Sequence, residues 1–107
     1  MKAKVVIINK KDYPVKYGFA ALRAFTDATG VTLGQLGTLG ESMNITQALA
    51  LVWAGLKDGA RVTKTNFDLT IDDVADLLDE DGKAMDKVLA VFTESLAGAS
   101  KGTKKKV

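Results

Sequence analysis

The sequence predicts an α+β domain, mainly helical, in which an N-terminal β-hairpin is followed by four to five short α-helices. Three observations carry this expectation. Val5-Val6-Ile7-Ile8 is β-branched throughout, as strands prefer. At Phe19 the apolar period changes from two to about four. Past Gly40, further segments carry helical stripes, most of them opened by a cap or closed by a breaker.

The first strand ends at a polar turn, Asn9-Lys10-Lys11-Asp12, and Tyr13 to Tyr17 then alternates with Tyr13, Val15 and Tyr17 on one face. Pro14 has no backbone donor, so its strand must lie at an edge or leave that position outside the ladder. The hairpin is expected between Lys4 and Tyr17. Alone it would be only marginally stable, so it must pack on helices or pair with another chain.

Phe19, Leu22, Phe25 and Ala28 form the first helical stripe, closed by Gly30, which predicts a helix over 19–29. Between Gly30 and Gly40, glycines alternate with Val31, Leu33, Leu36 and Leu39, and a short helix or turn is expected around Leu33 to Leu36. These glycines match no phosphate-loop spacing. Asn44 with Gln47 has capping-box spacing and opens a helix over 44–58, striped by Ile45, Leu49, Val52, Trp53 and Leu56 and ended by Gly59. Thr70 repeats the cap signal before a short acidic helix over 71–79, with Ile71, Val74, Leu77 and Leu78 inward. Asp81-Gly82 breaks it. A final helix over 83–97 turns Met85, Val88, Leu89, Phe92 and Leu96 to one side. Residues 3–97 therefore read as one domain, and 98–107 as a basic, flexible tail.

Composition restricts the chemistry. Hydrophobic residues make up 47% and charged residues 26%, the balance of an ordinary globular protein. The chain has no cysteine and no histidine, which removes thiolate chemistry, the commonest metal ligand and the usual general base near neutral pH. A non-enzymatic protein without cofactor or metal is the expectation. Asp79-Glu80-Asp81-Gly82 does not make a calcium loop: with Gly82 at the sixth position, the first and twelfth would be Leu77 and Val88. It reads as a solvated helix end. No run reaches the ~18 apolar residues of a membrane span, and Val5 to Ile8 is too short for a signal-peptide core, so a cytosolic protein is expected. Net charge is +2, and without the lysines at 101 and 104–106 the body is slightly acidic, which argues against a nucleic-acid partner.

Most aromatic and aliphatic side chains must form the core, with Leu22, Phe25, Leu49, Trp53, Val88 and Phe92 foremost. Four helix stripes and a hairpin face still exceed what one small core can hold, and the surplus marks a partner surface. Candidate partner contacts are Tyr17 and Phe19 after the hairpin, Leu33, Leu36 and Leu39 in the glycine-bounded stretch, and Trp53 and Leu56 on the longest stripe.

Tyr13, Lys16, Tyr17, Gly18, Ala21, Leu22 and Arg23, followed later by Trp53-Ala54-Gly55-Leu56, resemble the pattern of the tail assembly chaperones of long-tailed bacteriophages. The resemblance spans roughly residues 3 to 97 in order of elements. It implies a hairpin feeding a helix, and a chaperone that binds the tape measure protein and promotes assembly of the tail tube, with tube protein as a further partner. It also implies action in the host cytoplasm and absence from the mature virion. Self-association through the hairpin edge would suit such a role. Lys104-Lys105-Lys106 requires an almost unbroken run of A in the message, and the resemblance implies a frameshifted longer product. The alternative reading is a small structural virion component, such as a head–tail connector or tail-completion protein.

Overall fold

A computed structural model describes residues 3–32, 34–36 and 43–105, with the backbone alone for 96–105. Strands β1 (Lys4–Ile8) and β2 (Lys11–Val15) precede helices α1 (Phe19–Thr29), α2 (Ile45–Val62), α3 (Ile71–Glu80) and α4 (Ala84–Lys105). The α+β, mainly helical architecture is the expected one.

β1 and β2 are antiparallel, with Val6 opposite Tyr13 and Ile8 opposite Lys11. The turn is shorter than the polar run suggests. Asn9 and Lys10 alone make it, both at positive φ (50° and 66°), and Lys11 and Asp12 already belong to β2. Two-residue turns of this hand match the right-handed twist of the strands. Such a turn closes on a hydrogen-bonded pair, and alternation then puts Pro14, opposite Val5, at a non-hydrogen-bonded site. The ladder loses nothing by its missing N–H. Val6, Ile8 and Val15 face inward, while Val5 and Ile7 point outward, 64% and 53% exposed.

α2 is the central element and is buried nearly all round, through Leu51, Val52, Ala54, Leu56 and Ala60 among others. Its Asn44–Gln47 capping box forms as the sequence predicts, with bonds of 2.7 and 3.0 Å. Two expectations for it fail. Ile45 is exposed, because the first turn precedes the region where other elements cover the helix. Gly59 does not end the helix, which continues to Val62. Instead, Gly55 and Gly59 stand one turn apart beneath the outer edge of β2. A Cβ on Gly55 would lie 2.8 Å from Tyr17 Cε2, and one on Gly59 would lie 2.6 Å from the backbone nitrogen of Val15. Absence of side chains here lets the hairpin lie on the helix, and Lys16 N–H donates to the carbonyl of Gly55 at 3.1 Å.

α1 ends where expected: Gly30, at φ 77°, donates its N–H to the Thr26 carbonyl. The buried line of α1 runs through Ala21 and Phe25, not through Phe19 and Ala28, which are exposed. At 100° per residue, Phe19 lies about 160° around the helix from Ala21, so packing one on α2 turns the other to solvent. Residues 34–36 form a 3₁₀ turn with Leu36 buried, in line with the short turn expected there. Leu33 and Leu39 lie outside the described residues.

α3 carries the predicted Thr70–Asp73 capping box and buries Val74 and Leu78. Its acidic end is more than a solvated surface. Asn9 donates from its side chain to Glu80 (2.7 Å) and from its backbone to Asp81 (3.0 Å), so the hairpin turn docks on the α3–α4 junction. α4 buries Ala84, Val88, Val91 and Phe92. Its backbone stays helical to Lys105, past the end predicted near 97, where Ala97, Ala99, Lys101 and Lys104 are all good helix formers. Leu96 falls among the residues whose side chains are not described.

Candidate functional site

An exposed surface that combines apolar and charged groups lies on α1 and its seam with α2. Phe19, Arg23 and Asp27 recur at i, i+4 and i+8, so they line one exposed face of α1. Phe19 is 86% exposed, and the side chain of Arg23 is equally so. Clefts open on both sides of this line. The larger, about 540 Å³, runs between α1 and α2 over a floor of Ala20, Ala24 and Ala54, with Phe67 among its lining residues. The smaller, about 420 Å³, is bounded by Phe19, Leu22, Thr26 and Val31. Arg23 borders both and forms the ridge between them.

Charge is concentrated in the larger cleft. Arg23, Lys57 and Arg61 line it together with Asp27 and Asp58. Asp58 is the one buried charged residue in the described core, its side chain 1% exposed. One carboxylate oxygen accepts from Arg61 Nε at 3.0 Å and Nη2 at 2.8 Å; the other accepts from the backbone N–H of Gly18 at 3.4 Å. Asp58 thus supplies the acceptor that the α1 N-terminus lacks locally, since its N-cap is Gly18. Its charge is answered within the protein. Asp27 is held only loosely, 4.0 Å from Arg23 Nε with both side chains mostly in water, and such pairs contribute little. Lys57 Nζ rests 4.9 Å from the centre of the Trp53 ring.

The structure separates the candidate contacts read from the sequence. Phe19 is on the surface. Trp53 is half-buried, its indole N–H donating to the Leu69 carbonyl at 3.0 Å. Tyr17, Leu36 and Leu56 are core residues and present almost nothing to a partner in this conformation. The Tyr17 hydroxyl donates to the Leu51 carbonyl at 2.8 Å, and its ring meets Phe92 edge-on at 5.2 Å. These three were apolar residues beside a surface, and only the packing of α2 against the hairpin and α1 could assign them inward. Sequence reading gave no role to Lys57, Asp58 and Arg61. Their signal was an Asp at i and an Arg at i+3 inside an otherwise apolar stretch.

The hairpin offers a second exposed apolar area at Val5 and Ile7. The outer edge of β2 is covered by α2, and β1 faces α4, where Lys87 Nζ approaches the Ile7 carbonyl (3.4 Å) and Lys4 pairs with Glu94. Among the described residues, no group of three His, Cys, Asp or Glu side chains is placed to hold a metal ion. No described helix is long and apolar enough to cross a membrane. Comparison with protein-family models, with curated proteins and with solved structures found no match to the chain.

Proposed function

We propose that this chain is a non-enzymatic binding protein that acts as a phage tail assembly chaperone, holding the tape measure protein soluble and handing it to polymerising tail tube subunits in the host cytoplasm. One observation carries the proposal: Phe19 stands 86% exposed at the start of α1, on the rim of the smaller cleft, with the alanine-lined α1–α2 cleft across Arg23 from it. Phe19 is not an isolated apolar residue: it borders one groove with Leu22 and Val31, and apolar grooves left open on a surface are where partner anchors seat. An amphipathic client helix fits such a surface, since helix-in-groove recognition places apolar anchors at one-turn spacing. Shallow clefts give contacts that a tube subunit can displace. The sequence pattern from Tyr13 to Arg23 and the hairpin-then-helix order support the same reading. Self-association through the hairpin is restricted on both sides, because α2 lies along β2 and Lys87 of α4 approaches the Ile7 carbonyl beside β1.

Co-expression with the tape measure protein of the same phage tests the proposal. The client should be soluble with the wild-type chain and should precipitate with Phe19→Ala, while mass spectrometry of purified virions should not find the chain. Stoichiometric recovery from particles would favour a structural virion component instead. A client equally insoluble with and without the chain would remove the chaperone reading.

A further inference from the structure

We infer that the α1–α2 cleft receives an acidic amphipathic helix, one whose apolar residues are flanked by Asp or Glu; the inference rests on the chaperone reading and names the chemistry of its client. Three cations line the cleft against two carboxylates, and Asp58 is already buried against Arg61 and Gly18. That pair cancels, which leaves Arg23 and Lys57 facing Asp27, itself in loose contact with Arg23, and so an excess of positive charge. Although the whole chain carries only +2, the mouth of this cleft presents positive potential to an arriving partner.

The floor explains why the occupant is a helix. Ala20, Ala24 and Ala54 have side chains short enough for another backbone to approach closely, and Phe67 adds an apolar lining. Packed helix axes lie ~8–10 Å apart depending on the side chains at the contact, and small side chains allow the closer approach. A phosphate backbone would satisfy the cations and leave the alanine floor uncovered. A helix with leucines inward and carboxylates at its margins satisfies both. Because Arg23 also borders the groove of Phe19, a helix crossing α1 there reaches both clefts at once. Composition alone suggests apolar binding with little salt dependence. The placement of Arg23 and Lys57 adds a salt-sensitive component that favours acidic partners and rejects basic ones.

The experiment uses the full chain and a pair of labelled synthetic peptides of about 20 residues, long enough to span a helical groove. Both carry leucines at i, i+3 and i+4 spacing; one flanks them with glutamates, the other with lysines. Fluorescence anisotropy should show the glutamate peptide binding at least about tenfold more tightly, with affinity falling severalfold from ~0.05 to ~0.3 M salt. The double variant Arg23→Glu, Lys57→Glu should reverse the preference. Both side chains are exposed, and circular dichroism checks folding; Arg23→Gln, Lys57→Gln, which should abolish the preference, serves if the reversal does not fold. Equal binding of the two peptides, binding of neither, an unchanged preference in the variants, or displacement of the peptide by a single-stranded oligonucleotide would each overturn the inference. Should the wild-type chain and the charge-reversed variant solubilise the tape measure protein equally in co-expression, the chaperone reading would survive and this inference would fall.

Discussion

Tyr17 joins three elements through one side chain: it follows β2, meets Phe92 of α4 edge-on and donates to the Leu51 carbonyl in α2. Burial pushes its hydroxyl well above the ordinary tyrosine value. A group whose folded pKa is raised contributes fully below its unfolded value, about 10, and loses that contribution as pH climbs beyond it. Tyr17→Phe should therefore cost about 1 kcal/mol near neutrality, yet flatten the loss of stability above about pH 10, measured by urea unfolding across pH. Asp81 has the opposite sign. The backbone N–H of Asn9, then that of Lys83, and the charges of Lys87 and Lys83 hold its carboxyl below the usual range. Its stabilising effect is present above about pH 4 and disappears as pH falls through the lowered value, so Asp81→Asn should remove part of the acid limb of the stability profile. Asp58→Ala should cost about 2–3 kcal/mol, below the full penalty for breaking a buried pair, because Arg61 is 59% exposed and relaxes into water.

At the scale of elements, α2 is a platform whose glycines set the distance to the hairpin. In an exposed helix interior, Gly→Ala stabilises by up to about 1 kcal/mol. Here both substitutions should destabilise. Gly55→Ala meets the Tyr17 ring, which would have to shift against Leu51 and Phe92, and a cost of about 1–3 kcal/mol is expected. Gly59→Ala meets the backbone of Pro14 and Val15, which cannot move without shifting the strand, so it should cost more than Gly55→Ala. Thermal melts of the two variants check both the sign and the order. The hairpin turn is a second element with a local cost. Lys10 sits at φ 66°, a region that glycine occupies freely and lysine does not, and Asn-Gly is the preferred pair for such turns.

For the molecule as a whole, stability and binding should separate by position. Phe92→Ala, deep in the core, should cost about 3–5 kcal/mol, a large share of a margin of order 5–15 kcal/mol. Trp53→Ala should cost less, since Trp53 is half-buried and one face carries Lys57. Phe19→Ala should change stability by no more than about 0.5 kcal/mol, the range of surface substitutions, while weakening client capture. Parallel melts and co-expression assays on these three variants distinguish a residue that holds the fold from one that meets a partner.

The local elements were legible in the sequence because each is written in short-range chemistry. The β-branched run, the Asn44–Gln47 and Thr70–Asp73 boxes and Gly30 act within a few residues of themselves, and all appear in the structure as read. Phe25, Val88 and Phe92 were identifiable as core from their spacing. What depended on contacts distant in sequence was not legible. A glycine ends a helix or admits a strand according to what crosses it, and nothing near Gly59 records that Pro14 lies above it. Whether Tyr17, Leu56 or Phe19 faces outward depends on which side of each element meets α2, a choice made by the sum of all packing partners. The pairing of Asp58 with the α1 N-terminus, and the gathering of Arg23, Lys57 and Arg61 at one cleft, likewise exist only once α1 lies against α2. Sequence determined the pieces and their order, because propensity and capping are local; tertiary packing decided which apolar and charged groups remain on the surface, because burial is a property of the whole chain.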